Sequence, residues 1–255
     1  MPNRRTTKRP TPLRPMPAVH IEQEELRRFG RRWQENGNKL KRTPPESSMQ
    51  LTSIFDHAVG KALAEMVGGI EIKQPNGKSL TPPDTNCVEV GPVRVIGGVR
   101  PQNFDVGYRP DGLRFAFDSK TLNDTESVKK NWQNMINDIA TEATTVHTRF
   151  PHAVVAFLVA IPRPCVSPTQ VKAITETLER LARREGVNDP VHMAEAIALV
   201  FWDPPSGQIE SHSPPRDSPL RLEKFSEAVC RAYSIRYKGL PPHVEPGEPE
   251  SRKEY

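Results

Sequence analysis

Two apolar runs set the strongest limit on how this chain can fold. Residues 153–161, AVVAFLVAI, and residues 195–203, EAIALVFWD, are almost continuously aliphatic and aromatic. A strand with one wet face alternates apolar and polar residues, whereas a strand covered on both faces does not. Apolar residues at helical spacing predict amphipathic helices around these runs, over residues 51–67, 125–143, 168–186 and 220–237. The order of these strands and helices along the chain predicts a single α/β domain in which helices flank a mixed β-sheet.

The segment 104–120, FDVGYRPDGLRFAFDSK, alternates between apolar and polar residues on both sides of a turn. The Asp-Gly pair at 111–112 favours a tight hairpin turn, and a turn there pairs residues whose numbers add up to 223. That register places Asp105 directly opposite Asp118, with Cβ atoms about 5 Å apart. Lys120 lies two residues further on and therefore on the same face of the sheet as Asp118.

The two facing carboxylates favour a bound cation. Like charges about 5 Å apart repel by about 3 kcal/mol at an effective dielectric constant of 20, and directly opposed acids are usually avoided in sheets. A divalent cation such as Mg²⁺ reverses the repulsion, because it is held by one or two carboxylates together with phosphate oxygens and water. Lys120 adds a cation that can contact a phosphate or orient a water. The same residues also fit an ordinary hairpin with a solvated polar face, in which Lys120 pairs diagonally with Asp105.

A further acid, Asp111, follows Pro110 in a literal Pro-Asp pair upstream of Asp118. It occupies the turn, where Asp-Gly is explained by turn chemistry alone. Strand rise puts it roughly 14 Å from Asp118, too far to share an ion. Asp105 is therefore the preferred partner of Asp118.

An acid on one strand, a hairpin, Asp-x-Lys on the next strand and a following helix resemble the PD-(D/E)XK nucleases, in particular the restriction-endonuclease-like proteins. The resemblance spans residues 51–203. It implies a restriction-endonuclease-like core in which Asp105 and Asp118 bind Mg²⁺ and Lys120 helps to activate water, so that these three are the catalytic residues. Family members often add a Glu from the first helix, which implies Glu65 as a further metal ligand.

The resemblance implies phosphodiester hydrolysis. Mg²⁺ held by carboxylates would polarise the phosphoryl oxygen, lower the pKa of a bound water and stabilise the leaving alkoxide. One position departs from the family pattern: Phe104 precedes Asp105 where the family has a loosely kept Pro. Nucleotide-binding loops of the GxxxxGK[ST] or GxGxxG type are absent from the sequence, so nucleotide hydrolysis and dinucleotide binding are not supported.

Positive charge is concentrated near the N-terminus. The whole chain has 36 Lys and Arg against 31 Asp and Glu, a formal net charge of +5. Residues 1–50 hold 12 Lys and Arg against 5 Asp and Glu, a balance of +7, so the rest has a balance of −2. This predicts a basic Pro-rich arm over 1–50 that contacts phosphates, disordered over 1–17 and with a short helix within 18–42. A solubilising tail or an unusual transit peptide would have the same composition. The nuclease domain is then expected over 51–240, with a disordered tail over 241–255.

Other features exclude several classes of protein. The longest apolar run has nine residues and ends at Pro162, against about 20 for a membrane-spanning helix. The N-terminal cations precede no apolar stretch, so a secretory signal is not expected. Cys87, Cys165 and Cys230 lie far apart and form neither a disulfide framework nor a zinc-ligand spacing. We therefore expect a protein of a reducing cell interior that contacts no membrane, and the resemblance to restriction enzymes implies the bacterial cytoplasm.

These patterns favour a Mg²⁺-dependent endonuclease that acts on double-stranded DNA, most simply a type II restriction enzyme with a cognate DNA methyltransferase as its genetic partner. Cutting both strands of a symmetric site predicts a homodimer. Two alternatives stay open. One is a non-catalytic nucleic-acid-binding protein on the same fold, and the other is a repair or mobile-element nuclease with the same active site.

Overall fold

A mixed β-sheet of six strands lies at the centre of the part of the chain that the computed structural model describes, residues 12–40, 48–77 and 79–244. The elements are α1 Gln23–Glu35, α2 Ser48–Met66, β1 Glu71–Lys73, β2 Cys87–Ile96, β3 Pro101–Tyr108, β4 Phe115–Thr121, α3 Thr125–His147, β5 Val154–Pro162, α4 Pro168–Leu181, β6 Ala196–Trp202 and α5 Leu222–Tyr237. The strands lie side by side in chain order. β3 is antiparallel to both of its neighbours, β2 and β4, whereas β1 pairs with β2, β4 with β5, and β5 with β6 in parallel.

β5 and β6 are buried along their whole lengths, as their apolar runs predict. Burying a large apolar side chain stabilises the fold by about 1.5–3 kcal/mol, so these two strands fix the middle of the domain. Residues of α2 and α5 pack on one face of the sheet, and residues of α3 and α4 pack on the other. The predicted α/β fold with helices flanking a mixed sheet is therefore confirmed. In the described residues, no helix is both long enough and apolar enough to cross a membrane.

Local signals fix the ends of the helices that follow the hairpin. Asp124 caps α3, because its carboxylate accepts a hydrogen bond from the backbone N–H of Ser127 at 2.8 Å. α4 ends at Leu181, short of the predicted end at Gly186. Arg184, in the loop that follows the helix, donates a hydrogen bond to the buried carboxylate of Glu195 at the start of β6.

The hairpin of β3 and β4 has the predicted register. Tyr108 pairs with Phe115 and Val106 pairs with Phe117, so the numbers of facing residues add up to 223. The connection is longer than a two-residue turn, because β3 ends at 108 and β4 begins at 115. Gly112 has a φ of 135°, which only glycine adopts readily.

The structure corrects the predicted arm. Residues 12–40 pack against the domain, and their buried side chains form a strip along the chain: Met16, Val19, Ile21, Leu26, Phe29 and Trp33. The basic, Pro-rich composition of residues 1–50 predicts a segment outside the core. A composition does not show that the apolar residues of this segment lie on one side of it. The short helix expected within 18–42 is present as α1. Residues 1–11 and 41–47 of the predicted arm lie outside the described residues.

The beginning of the predicted tail is also packed. His243 is buried, and its Nε2 lies 2.8 Å from the hydroxyl of Tyr233 on α5. The domain therefore extends to about residue 244. Residues 245–255 of the predicted tail lie outside the described residues.

Replacing Trp33 with Ala is expected to lower the free energy of unfolding by about 3–5 kcal/mol. The indole is 3% exposed, and its N–H donates to the carbonyl of Asn123 at 2.5 Å, so the variant loses both packing and a buried hydrogen bond. Denaturant unfolding measures the difference. Gln34→Ala, at an exposed position of the same helix, should change stability by no more than about 0.5 kcal/mol. A Trp33→Ala variant as stable as the wild type would contradict the docking of α1.

Candidate active site

Four carboxyl groups meet where β3 and β4 separate. The paired residues of the two strands end at Val106 and Phe117, and the next residue on each strand is an aspartate. α2 brings a third carboxyl group to this place and α3 brings a fourth. Two neighbouring residues of β4 contact all four acids: Ser119 contacts Asp56 and Asp105, and Lys120 contacts Asp118 and Glu142. We call the group the carboxylate cluster, and it consists of Asp56, Asp105, Asp118, Ser119, Lys120 and Glu142.

Ser119 connects the two acids nearest α2. Its hydroxyl lies 2.6 Å from Oδ1 of Asp56 and 3.2 Å from Oδ2 of Asp105. Its backbone N–H donates to the same Oδ2 of Asp105 at 3.0 Å. A hydroxyl has one proton to donate, so a proton on one of the two carboxyl groups completes this set of hydrogen bonds.

Lys120 connects the acids on the side of α3. Its ammonium group donates to the carboxylate of Asp118, and Nζ lies 2.9 Å from Oε1 of Glu142. Gln102 of β3 donates to the same Oε1 at 2.9 Å. The structure thus brings together Asp105, Asp118 and Lys120, the three residues that the sequence predicts as catalytic.

Burial raises the pKa values of all three aspartates. The pKa of Asp56 rises to about 8 through burial and then through the negative charge of Asp105. The pKa of Asp105 rises to about 8 through burial and through its hydrogen bond and charge interaction with Asp118. Burial raises the pKa of Asp118 only to about 6, because Asp105 and the positive charge of Lys120 oppose it. Burial alone would lower the pKa of Lys120, but Asp118 and Glu142 outweigh it and raise that pKa. Perturbed groups gathered in this way are typical of functional sites.

The metal-free protein is expected to lose stability as the pH rises from about 4 to about 8. An Asp side chain ordinarily loses its proton near pH 3.8, whereas the interacting pair of Asp56 and Asp105 holds a proton to about pH 8. In this window the folded state holds more protons than the unfolded chain, and the free energy of unfolding falls by about 1.4 kcal/mol per pH unit for each extra proton. Above both values the fall stops. The lowered pKa of Glu195 acts in the opposite direction, but only below its ordinary value of 4.5.

Denaturant unfolding in a chelating buffer at about pH 5, 7 and 9 measures this slope. The variant Asp56→Asn has no proton to lose at that position, so its slope should be shallower than that of the wild type. A wild-type free energy of unfolding that rises between pH 5 and 8 would contradict the raised pKa values.

Glu65, which the resemblance implies as a metal ligand, lies outside the cluster. It is exposed on α2, nine residues beyond Asp56, or about 13 Å along the helix axis. It lines a groove of about 600 Å³ between α2 and residues 17–25. The acid that the first long helix brings to the cluster is Asp56. Asp111 stays in the hairpin turn, where it forms an ion pair with Arg114.

Asp56 and Glu142 are not among the site residues predicted from the sequence, although each leaves a signal there. Asp56 lies on the buried side of α2 and Glu142 on the buried side of α3, and they are only 7% and 4% exposed. An acid inside the apolar stripe of a helix is unusual, because a buried charge is unfavourable unless it is paired. Acids inside apolar stripes could therefore have been singled out from helical spacing alone.

The donor atoms of the cluster fit a hard divalent cation such as Mg²⁺. Asp105 and Asp118 present carboxylate oxygens, which are the ligands that Mg²⁺ prefers. Oε2 of Glu142 is buried and has no hydrogen-bond partner among the described residues, so nothing offsets its loss of water. Across the described ranges, no group of three or more His, Cys, Asp or Glu side chains is arranged to hold a metal ion. A Mg²⁺ ion here would therefore depend on water and on substrate phosphate for its remaining ligands.

A second group of buried ionic side chains, at the start of β6, links several elements of the fold. Glu195 lies 3.0 Å from Nε of Arg184, 2.8 Å from Nη2 of Arg236 and 3.2 Å from Nε2 of His147. It also accepts the backbone N–H of Val155 at 2.8 Å. These partners outweigh burial and lower the pKa of Glu195. The group ties α3, α5 and the loop after α4 to the sheet.

No protein-family model, curated protein or solved structure matches this chain. Any assignment of function therefore depends on the carboxylate cluster itself.

Proposed function

We propose that this protein is a Mg²⁺-dependent endonuclease that hydrolyses phosphodiester bonds of double-stranded DNA. The observation that supports the proposal is the meeting of Asp105, Asp118 and Lys120 where β3 and β4 separate. Two acids on adjacent strands repel each other unless a cation or a proton lies between them. Burial and the neighbouring Asp118 raise the pKa of Asp105 to about 8, which supports a proton as the neutralising group in the metal-free site. A divalent cation would take its place.

Asp105 and Asp118 are the residues that would hold Mg²⁺. When bound, Mg²⁺ would polarise the phosphoryl group and lower the pKa of a water. Asp118 has the lowest pKa of the three aspartates, about 6, so it is the first to provide a negative charge. Asp105, whose pKa is raised to about 8, would have to lose its proton to act as a ligand. Ser119 holds the Asp105 carboxyl group in place through its backbone N–H and its hydroxyl.

Lys120 would act on the phosphate. Its raised pKa keeps the ammonium group charged at neutral pH, so it donates protons in hydrogen bonds rather than accepting one. An ammonium group beside the scissile phosphate stabilises the negative charge that develops on the phosphoryl oxygens. Lys120 is therefore assigned to transition-state stabilisation and to orienting the attacking water.

Exposed basic side chains on α1 and α3 support a polyanionic substrate, although several of them pair with acids on their own helix. Trp33 docks the C-terminal half of α1 on Asn123, three residues beyond Lys120, and the charge of Lys39 acts on Asp124. α1 therefore lies beside the end of β4 that carries the cluster. Exposed cations of this kind contact DNA phosphates without reading sequence. They are Arg27, Arg28, Arg31 and Arg32 on α1 and Lys129 and Lys130 on α3.

The finer assignment is a type II restriction enzyme of the bacterial cytoplasm that works as a homodimer. A two-fold pair of active sites is the simplest way to cut both strands of a symmetric sequence. Such an enzyme would have a DNA methyltransferase as its genetic partner. One observation favours the alternative of a non-catalytic nucleic-acid-binding protein: Lys120 already neutralises Asp118 in the absence of metal.

Incubation of the purified protein with unmethylated phage DNA separates these functions. Discrete fragments that need Mg²⁺ and disappear with a chelator support a restriction enzyme. A smear supports an endonuclease without sequence preference, such as a repair or mobile-element enzyme. Intact DNA that is nevertheless retained by the protein supports the binding protein and contradicts the proposal.

A further inference from the structure

Glu142 is a carboxylate placed where the fold would favour an apolar residue. It lies on the buried side of α3 between Ile139 and Val146, and it is 4% exposed. Burying a charge there is unfavourable unless partners offset it. Its Oε1 has two partners, Nζ of Lys120 and Nε2 of Gln102, each at 2.9 Å. Its Oε2 is buried and has no hydrogen-bond partner among the described residues. Two hydrogen bonds thus hold Oε1 in place, whereas Oε2 can still accept one.

Lys120 is shared between two carboxylates that have different uses. Asp118 is one of the two acids that would hold a divalent cation, whereas Glu142 contacts the same ammonium group from α3. An ammonium group and a divalent cation repel each other and compete for the same carboxylate. Cation binding at Asp118 would therefore weaken the ion pair between Lys120 and Asp118.

We propose that Glu142 is a positioning residue that retains Lys120 beside the site when Asp118 binds a divalent cation. The inference rests on the proposed function, because it takes Asp105 and Asp118 as the cation ligands. An ammonium group has three N–H donors, and Oε2 of Glu142 can accept the one that Asp118 gives up. Gln102 holds Oε1 from the neighbouring strand, so the carboxylate stays in place during the exchange. Without Glu142, Lys120 would have Asp118 as its only acidic partner among the residues that the structure describes, and it would oppose the cation.

Calorimetric titration with Mn²⁺ alone, without DNA, tests the inference in a double-mutant cycle. Glu142→Gln is expected to weaken Mn²⁺ binding about tenfold in the wild-type background, because Lys120 then holds Asp118 more tightly. In the Lys120→Met background no ammonium group competes, and the same substitution is expected to weaken binding less than about threefold. Asp138→Asn, at an exposed position on the same helix, should leave binding unchanged and controls for loss of charge on α3.

The outcomes separate this inference from the proposed function. Equal weakening in both backgrounds would show that Glu142 acts only through its charge, and would overturn the inference while the cation site stands. Absence of Mn²⁺ uptake by the wild type, both without DNA and with a DNA substrate present, would overturn both. Glutamine has the size of glutamate, so the variant keeps the packing of α3, and its unfolding is followed in parallel.

A second measurement reports the position of Lys120 directly. Amine labelling followed by mass spectrometry compares Lys120 in the presence of Mn²⁺ in the wild type and in Glu142→Gln. Lys120 is expected to stay protected in the wild type and to label at least about threefold faster in the variant, because it loses its remaining acidic partner. Equal labelling in the two proteins would overturn the positioning role.

Discussion

Replacing Asp118 with Asn is expected to lower the rate of DNA cleavage by about 10³-fold or more, which corresponds to about 4 kcal/mol of lost transition-state stabilisation. Asparagine has nearly the same shape but no negative charge, so the variant loses one of the two carboxylates that would hold Mg²⁺. Metal ions supply several kcal/mol in hydrolytic reactions. The loss should therefore fall on the chemical step, with DNA binding preserved.

Single-turnover cleavage of a DNA substrate in saturating Mg²⁺ measures this effect. Asp138→Asn is the matched control, because it makes the same chemical change at an exposed position on α3, and it should cut at the wild-type rate. Calorimetry should show weaker Mn²⁺ uptake by Asp118→Asn than by the wild type. Cleavage by Asp118→Asn at the wild-type rate would contradict both the metal site and the proposed function.

The register of the hairpin could be predicted because it is determined locally. A slip of one residue between the strands would turn Val106 and Phe117 away from the core, so the apolar alternation allows one pairing. Asp105 and Asp118 follow from that pairing without any knowledge of the rest of the fold. In the structure, the backbone pairing of the two strands ends at Val106 and Phe117. Asp105 and Asp118 then contact each other through a hydrogen bond between their side chains. The local pattern therefore predicts which acids meet, but not that the strands separate there.

The acids contributed by the helices depend on contacts distant in the sequence. Asp56 lies three residues before Val59 and seven before Leu63, so helical spacing places it on the buried stripe of α2. Its burial could have been predicted. Its partner Ser119 could not, because that contact joins residues 63 positions apart and depends on how α2 lies across the sheet. Glu65 was the weaker choice, since the same spacing turns it away from Val59 and toward solvent.

The docking of α1 shows the same limit. The apolar stripe of α1 can be recognised in the sequence, and the helix forms where the stripe predicts it. What composition cannot show is the surface that receives it. The N–H of Trp33 reaches the carbonyl of Asn123, 90 residues away, and Gly30 lies so close to Pro204 that a Cβ would overlap its carbonyl. A basic segment predicted to lie outside the domain thus becomes part of its packing.

Replacing Lys120 with Met is expected to reduce cleavage by about 10²–10⁴-fold while DNA affinity stays within about twofold of the wild type. Methionine fills a similar volume but removes the ammonium group that would contact the phosphate. That group is one cation beside the exposed basic side chains of α1 and α3, so its loss changes total DNA binding little. Mn²⁺ uptake should be at least as strong as in the wild type, because a competitor for Asp118 is gone. This combination of strong metal uptake, normal DNA binding and little cutting is specific to a catalytic lysine.

The variant also leaves Glu142 without its cation inside the domain. Breaking a buried ion pair in this way lowers the free energy of unfolding by about 3–5 kcal/mol, so cleavage is compared at a temperature where unfolding curves show both proteins folded. Lys172→Met is the matched control, because its side chain on α4 is 77% exposed, and it should cut and unfold like the wild type. Should DNA affinity fall in Lys120→Met as much as cleavage does, Lys120 would be a DNA-binding residue, and the catalytic role assigned to it would be wrong.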